Sequence, residues 1–176
     1  MSWSSPRLGA GCALGAALLV LAACGYRPLY GERAGGGVDE DLATVRIESI
    51  ADRPGQELRN LLLDRINPAG QPASPQYVLS VTLHESVREL GIRRDELSTR
   101  ANLSMAASYS LRELATQRMV FAGESHSVAS YNISREHFAS FSSAEAARQR
   151  AVSELGEDIR ARLAVYFNQR RAGQGG

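Results

Sequence analysis

The chain has no lysine; its twenty basic residues are all arginine, set against nineteen aspartates and glutamates for a formal charge of +1. Cysteine is confined to Cys12 and Cys24, so everything beyond residue 24 lacks a disulfide, a thiol nucleophile and a thiolate metal site. An excess of one charge is missing too. Setting aside the N-terminal segment with Arg7 leaves nineteen arginines against nineteen acids, which excludes the broadly basic face that general nucleic-acid binding requires. Any anion recognition must therefore come from a local arginine cluster. No Gly-rich phosphate loop, Gly-x-Ser-x-Gly elbow or paired-carboxylate motif occurs, and His84, His126 and His137 stand at no metal-ligand spacing, so these histidines are expected to be surface imidazoles. Nothing here points to an enzyme, a metal or a cofactor.

Long apolar runs are also scarce. The longest, about Leu8 to Leu21, is shorter than the roughly 20 residues a membrane-spanning helix needs. With Arg7 before it and Ala22-Ala23 after it, the run has the charged, apolar, small-residue order of a secretory signal. Its end, Leu21-Ala22-Ala23-Cys24, resembles the lipobox of bacterial lipoproteins, which makes residues 1–23 a signal peptide and Cys24 the lipidated first mature residue. Several acyl chains on one residue hold a protein firmly, since each buried CH₂ contributes about 0.8 kcal/mol. Gly25 follows where, by resemblance to enterobacterial sorting rules, an aspartate would retain the protein at the inner membrane. The expected location is therefore the outer membrane, lipid-anchored on the periplasmic side.

After the anchor, residues 24–41 look like a flexible tether, since Gly31 to Asp39 offers little to bury and contains four glycines. A domain is expected over 42–168. Thr44 to Glu48 alternates as a strand, and Pro54 to Ile66 places Leu58, Leu61, Leu62 and Ile66 on one face of a helix. Tyr77, Leu79, Val81, Leu83 and Val87 alternate with polar residues, as do Leu103, Met105, Ala107, Tyr109 and Leu111, which predicts an antiparallel hairpin. A weaker strand is expected from about Gln117 to Tyr131, with a bulge at Gly123. Ser142-x-x-Glu145 reads as a capping box that starts a long helix with an Ala147, Ala151, Leu155, Ile159 and Leu163 stripe; Arg148, Arg150, Glu154 and Arg160 form its wet face. Residues 169–176 are expected to fray as a disordered tail. The order β-α-β-β-β-α gives an α+β fold, a roughly four-stranded antiparallel or mixed sheet with two helices packed on one face.

The other sheet face carries Ser80, Thr82, His84, Ser86, Asn102, Ser104, Ser108 and Ser110, which are polar but almost uncharged. Freely solvated surfaces are usually richer in charge. That face is either an ordinary wet surface or one that touches something polar. Arg88, Arg93, Arg94 and Arg100 flank the hairpin turn; guanidinium forks match phosphate oxygens, although Asp95 and Glu96 neutralise part of the charge and a solvated loop tip is the simpler alternative.

The residues Cys24-Gly25-Tyr26-Arg27-Pro28-Leu29-Tyr30-Gly31 resemble the start of the LPS-assembly lipoproteins of the LptE family as they occur in alphaproteobacteria. The resemblance implies a non-enzymatic protein of two helices on a four-stranded sheet. It would sit as a plug in the outer-membrane β-barrel LptD and help place lipopolysaccharide in the outer leaflet, with basic residues touching the lipopolysaccharide directly. Arg93 and Arg94, with Arg88 and Arg100, are the residues that could do so. The competing class is a periplasm-facing ligand-binding or scaffold lipoprotein of the envelope without a barrel partner.

Overall fold

The computed structural model describes residues 32–90, 98–134 and 136–174. In chain order these form α1 (Glu32–Ala43), β1 (Val45–Ile47), α2 (Asp52–Ile66), β2 (Tyr77–Leu90), β3 (Ser98–Glu113), β4 (Met119–Ser134) and α3 (His137–Gln174). The compact unit that begins at Gly36 contains all of them beyond the first residues of α1. The strands make one mixed sheet in the order β1-β2-β3-β4; β1 pairs parallel to β2, and the other two ladders are antiparallel.

Strand periodicity accounts for the two faces. Inward from the sheet point Tyr77, Leu79 and Val81 of β2 and Leu103, Met105, Ala107, Tyr109 and Leu111 of β3, all buried. Against them pack Leu58, Leu62 and Ile66 of α2, and Ala147, Ala151, Leu155, Ile159, Leu163 and Phe167 of α3. The stripe anticipated on the last helix is thus its buried face. An aromatic chain closes one end of this core, with Tyr77 edge-on to Phe167 at 5.2 Å, Phe167 edge-on to Tyr166 at 5.2 Å, and Tyr166 stacked on Phe121 at 5.1 Å.

Four expectations need correction. The supposed tether is helical from Glu32 to Ala43, because Val38 and Leu42 find a place in the core and the bare backbone of Gly37 lets the Arg171 guanidinium approach where a methyl group would collide. Among the described residues there are three helices rather than two. The last helix begins at His137, before the expected capping box: Ser142 Oγ donates back to the Phe138 carbonyl at 2.9 Å, and Glu145 accepts from Arg148 at 2.6 Å. Nor does the C-terminal stretch fray at residue 169. The α3 helix runs to Gln174 because Arg170 donates to Glu113 at 2.8 Å and lies 5.5 Å from the Tyr77 ring, while Arg171 pairs with Asp41 of α1.

The expected irregularity in β4 is real but lies elsewhere. Register slips opposite Leu111 and Arg112, which pair with Phe121 and Met119 and leave Val120 as the extra residue. Gly123 pairs regularly with Tyr109. Its missing side chain is where the Tyr109 ring lies, since a Cβ there would come within 2.5 Å of the tyrosine oxygen.

Candidate functional site

Two surfaces of the sheet were singled out by composition, and the ladder registers now place them. On the face turned away from the helices, rows of partners run across β2, β3 and β4: Thr82, Ser108 and Glu124; His84, Ala106 and His126; Ser86, Ser104 and Val128; Arg88, Asn102 and Ser130. The face is a continuous field of short polar side chains. Ser80 Oγ donates to Glu48 at 2.5 Å, and Ser130 Oγ donates to Asn102 Oδ1 at 2.8 Å. Charge enters this field mainly at its margins, through Arg46, Glu48 and Arg112 at one end and Arg88 and Arg100 at the other.

Arg88 and Arg100 come together at the hairpin end of the face. Arg88 pairs with Asn102 and Leu90 with Arg100, so the two arginines are diagonal neighbours on the same side, roughly 7–8 Å apart at most at Cβ. Both are exposed, and neither forms an ion pair with a carboxylate among the described residues. Arg93, Arg94 and Cys24 lie outside the described residues. His84, His126 and His137 are exposed, and among the described residues no three histidine, cysteine, aspartate or glutamate side chains gather in a way that could hold a metal.

At the same end as the arginines, the start of α3 presents Phe138 and Phe141, 83% and 65% exposed, near the β4 terminus. Leu90 and Val87 are exposed nearby on β2. This end of the sheet is therefore apolar as well as basic. Sequence periodicity missed the pair because both phenylalanines fall before the expected capping box.

The inner face holds polar chemistry that the sequence concealed. Glu85 occupies an inward position of β2 and accepts two hydrogen bonds from Arg148 of α3, at 2.9 and 2.8 Å, while Arg148 also reaches Glu145. These carboxylates raise the arginine pKa further above its usual value, Glu85 contributing most. Arg148 is thus an anchor between helix and sheet rather than part of a wet face. Ser125 and Ser127, buried on β4, donate to Asp158 and Glu154 of α3 at 2.5 Å each. Glu113 is held below its usual carboxylate range by the hydrogen bond from Arg170, helped by Thr116. Burial raises Tyr77 and Tyr109 above the usual phenol range. Each of these groups is tied to structure and none faces a cleft in catalytic geometry.

Concavities are modest. An open cavity of about 300 Å³ lies between the end of α2 and α1, lined by Leu42, Ile66, Asn67 and Pro68. A shallower apolar groove of about 220 Å³ runs along the β4 side of α3, lined by Phe121, Ala161, Arg162, Val165 and Tyr166.

The family model of LptE, lipopolysaccharide-assembly, matches residues 42–163. The chain belongs to the LptE family. The match runs from the end of α1 into α3 and so covers the whole sheet. Among solved structures, a lipoprotein of Caulobacter crescentus is similar at a TM-score of 0.62 and 20% identity, covering 77% of this chain and 98% of that one. The minor lipoprotein of Acinetobacter baumannii is similar at 0.51 and 14% identity, covering 69% and 90%. These likenesses show a shared fold. Comparison with curated protein sequences finds no match. The family is one of lipopolysaccharide assembly.

Proposed function

We propose that this LptE-family chain is anchored by lipid on Cys24 to the periplasmic side of the outer membrane, where it seats in the LptD β-barrel and helps deliver lipopolysaccharide to the outer leaflet. The outer sheet face carries the reading. A surface dominated by serine, threonine, asparagine and histidine, with Glu124 as the one carboxylate among its central rows, suits the polar lumen of a large barrel, where its polar side chains can hydrogen-bond while bringing little uncompensated charge. Family membership supports the same assignment.

The arginines at the hairpin end supply the second part of the role. Arg88 and Arg100, together with Arg93 and Arg94 between them in the chain, offer guanidinium forks to the phosphates of a lipopolysaccharide, and Phe138 and Phe141 at the same end of the sheet offer apolar surface to its acyl region.

Mild detergent extraction followed by affinity purification and mass spectrometry tests the barrel partnership. A stoichiometric large β-barrel is expected with the unaltered chain, and Ser108→Lys, which puts a long cation at the centre of the outer face, should reduce its recovery at least several-fold. A chain that purifies without a barrel would overturn the proposal in favour of a free envelope ligand-binding or scaffold lipoprotein. Replacing Arg93 and Arg94 with alanine should weaken lipopolysaccharide binding while barrel recovery is retained; unchanged binding would remove these arginines from the site.

A further inference from the structure

The sheet has edges, and they are not treated alike. Along β1, Gln71 imitates a neighbouring strand: its side-chain oxygen accepts from the Ile47 N–H at 3.2 Å and its amide donates to the Ile47 carbonyl at 3.1 Å. At the far end of β4, side chains of α3 cover the edge. Ser140 Oγ accepts from the Ser134 N–H at 2.8 Å and donates to its carbonyl at 2.9 Å, Ser143 Oγ donates to the Asn132 carbonyl at 2.7 Å, and Arg150 donates to the Ser130 carbonyl at 3.4 Å.

These bonds also reveal which backbone groups of β4 point outward. The even-numbered residues 130, 132 and 134 turn their peptide groups away from β3, and strand alternation extends the pattern to Ala122, Glu124, His126 and Val128. Among the described residues, the side-chain hydrogen bonds to the outward backbone of β4 stop at residues 130, 132 and 134 and leave the N–H and C=O groups of those four without one. The segment contains no proline, lysine or arginine, the residues that commonly protect an exposed edge.

We propose that this open stretch of β4 pairs with the same stretch of a second copy of the chain, antiparallel about a two-fold axis at Ser125. The inference is independent of the barrel reading. In this register the outward residues meet one another: Ala122 lies opposite Val128, and Glu124 lies opposite His126, each pair occurring twice by symmetry. Such pairs exchange both of their peptide hydrogen bonds. Glu124 and His126 already lie 3.6 Å apart within one chain, and the dyad sets the carboxylate of each copy beside the imidazole of the other, so the four side chains form one complementary cluster. Sliding by two residues in one direction sets Glu124 against Glu124, and in the other sets His126 against His126, so the register is selected by charge as well as by hydrogen bonding. The helices agree with the same axis. Ser125 donates to Asp158, and Glu154, which accepts from Ser127, and Arg162, which donates to Asp158, stand about one turn to either side of it; the dyad places the acid of one α3 on the side of the base of the other, as an addition to these bonds within each chain.

The other uncovered edge, β2 beyond Val81, turns the peptide groups of Glu85, Val87 and Glu89 outward; antiparallel self-pairing about Val87 would set Glu85, already engaged by Arg148 of its own chain, against a second glutamate, Glu89, so this edge does not pair with itself in the same way.

Thiol cross-linking of the full chain in detergent tests the proposal and its register. Ala122 and Val128 are exposed and tolerate substitution, and the proposed pairing brings their Cα atoms to about 5.5 Å, within disulfide range. An Ala122→Cys chain mixed with a Val128→Cys chain should give a disulfide-linked dimer under mild oxidation, well above the level from either chain alone or from the unaltered chain. Adding Glu124→Lys to both should lower the yield several-fold, and further adding His126→Glu should restore it. Absence of the mixed dimer, equal cross-linking by one variant alone, or indifference to Glu124→Lys would overturn the proposal.

Discussion

The two faces of one sheet obey different rules. Inward, Tyr77, Leu79 and Val81 of β2 and the odd positions from Ala101 to Leu111 of β3 are apolar and buried, and polar groups beside them on β2 and β4 are matched with partners on α3: Glu85 with Arg148, Ser127 with Glu154, Ser125 with Asp158. Outward, polar side chains of similar size lie side by side with few individual partners. A polar group removed from water must be satisfied within the molecule, whereas a group on an open face can exchange water for a partner later. The inner face therefore specifies the fold, while the outer face is free to specify an association.

Substitutions on the inner face should have the largest effect. Leu155→Ala removes a fully buried side chain from between α3 and the sheet, and an unfolding titration should show a loss of about 2–5 kcal/mol. Next comes Arg148→Ala, which leaves Glu85 half-desolvated without its two donors and should cost about 1–3 kcal/mol. Pairing Arg148→Met with Glu85→Leu should recover much of that loss, because the apolar pair needs no partner; failure to recover would show that the charged pair does more than satisfy itself. Smallest is Ser108→Lys on the outer face, expected to change stability by no more than about 0.5 kcal/mol while it impairs barrel recovery. A large stability loss there would erase the distinction between the faces.

The elements least legible in sequence were those whose stabilisation lies far away in the chain. Residues 32–43 have the glycines of a linker, and only the burial of Val38 and Leu42 and the contacts of Arg171 make a helix of them. Arg148 carries the ordinary signature of a solvated helix face and Arg170 that of a fraying tail, yet their partners Glu85 and Glu113 lie 63 and 57 residues away. The Phe138 and Phe141 pair escaped notice because a plausible helix start follows it. Of the arginine cluster, strand register brings Arg88 and Arg100 onto one side of the sheet, a neighbourhood that spacing along the chain could suggest but not establish.

By itself the sequence determined the order of elements from β1 onward, the apolar faces of β2, β3 and α3, and the polar, low-charge composition of the outer face, because these follow from side-chain periodicities of two and about four residues. It also supplied the lipobox-like Leu21-Ala22-Ala23-Cys24 and its following residues, which first suggested the family. Tertiary structure alone decided the parallel addition of β1, the helicity of α1, the pairing of Glu85 with Arg148, and the unequal covering of the sheet edges. Each of those depends on which distant group meets a backbone or a charge, a meeting that local pattern does not encode.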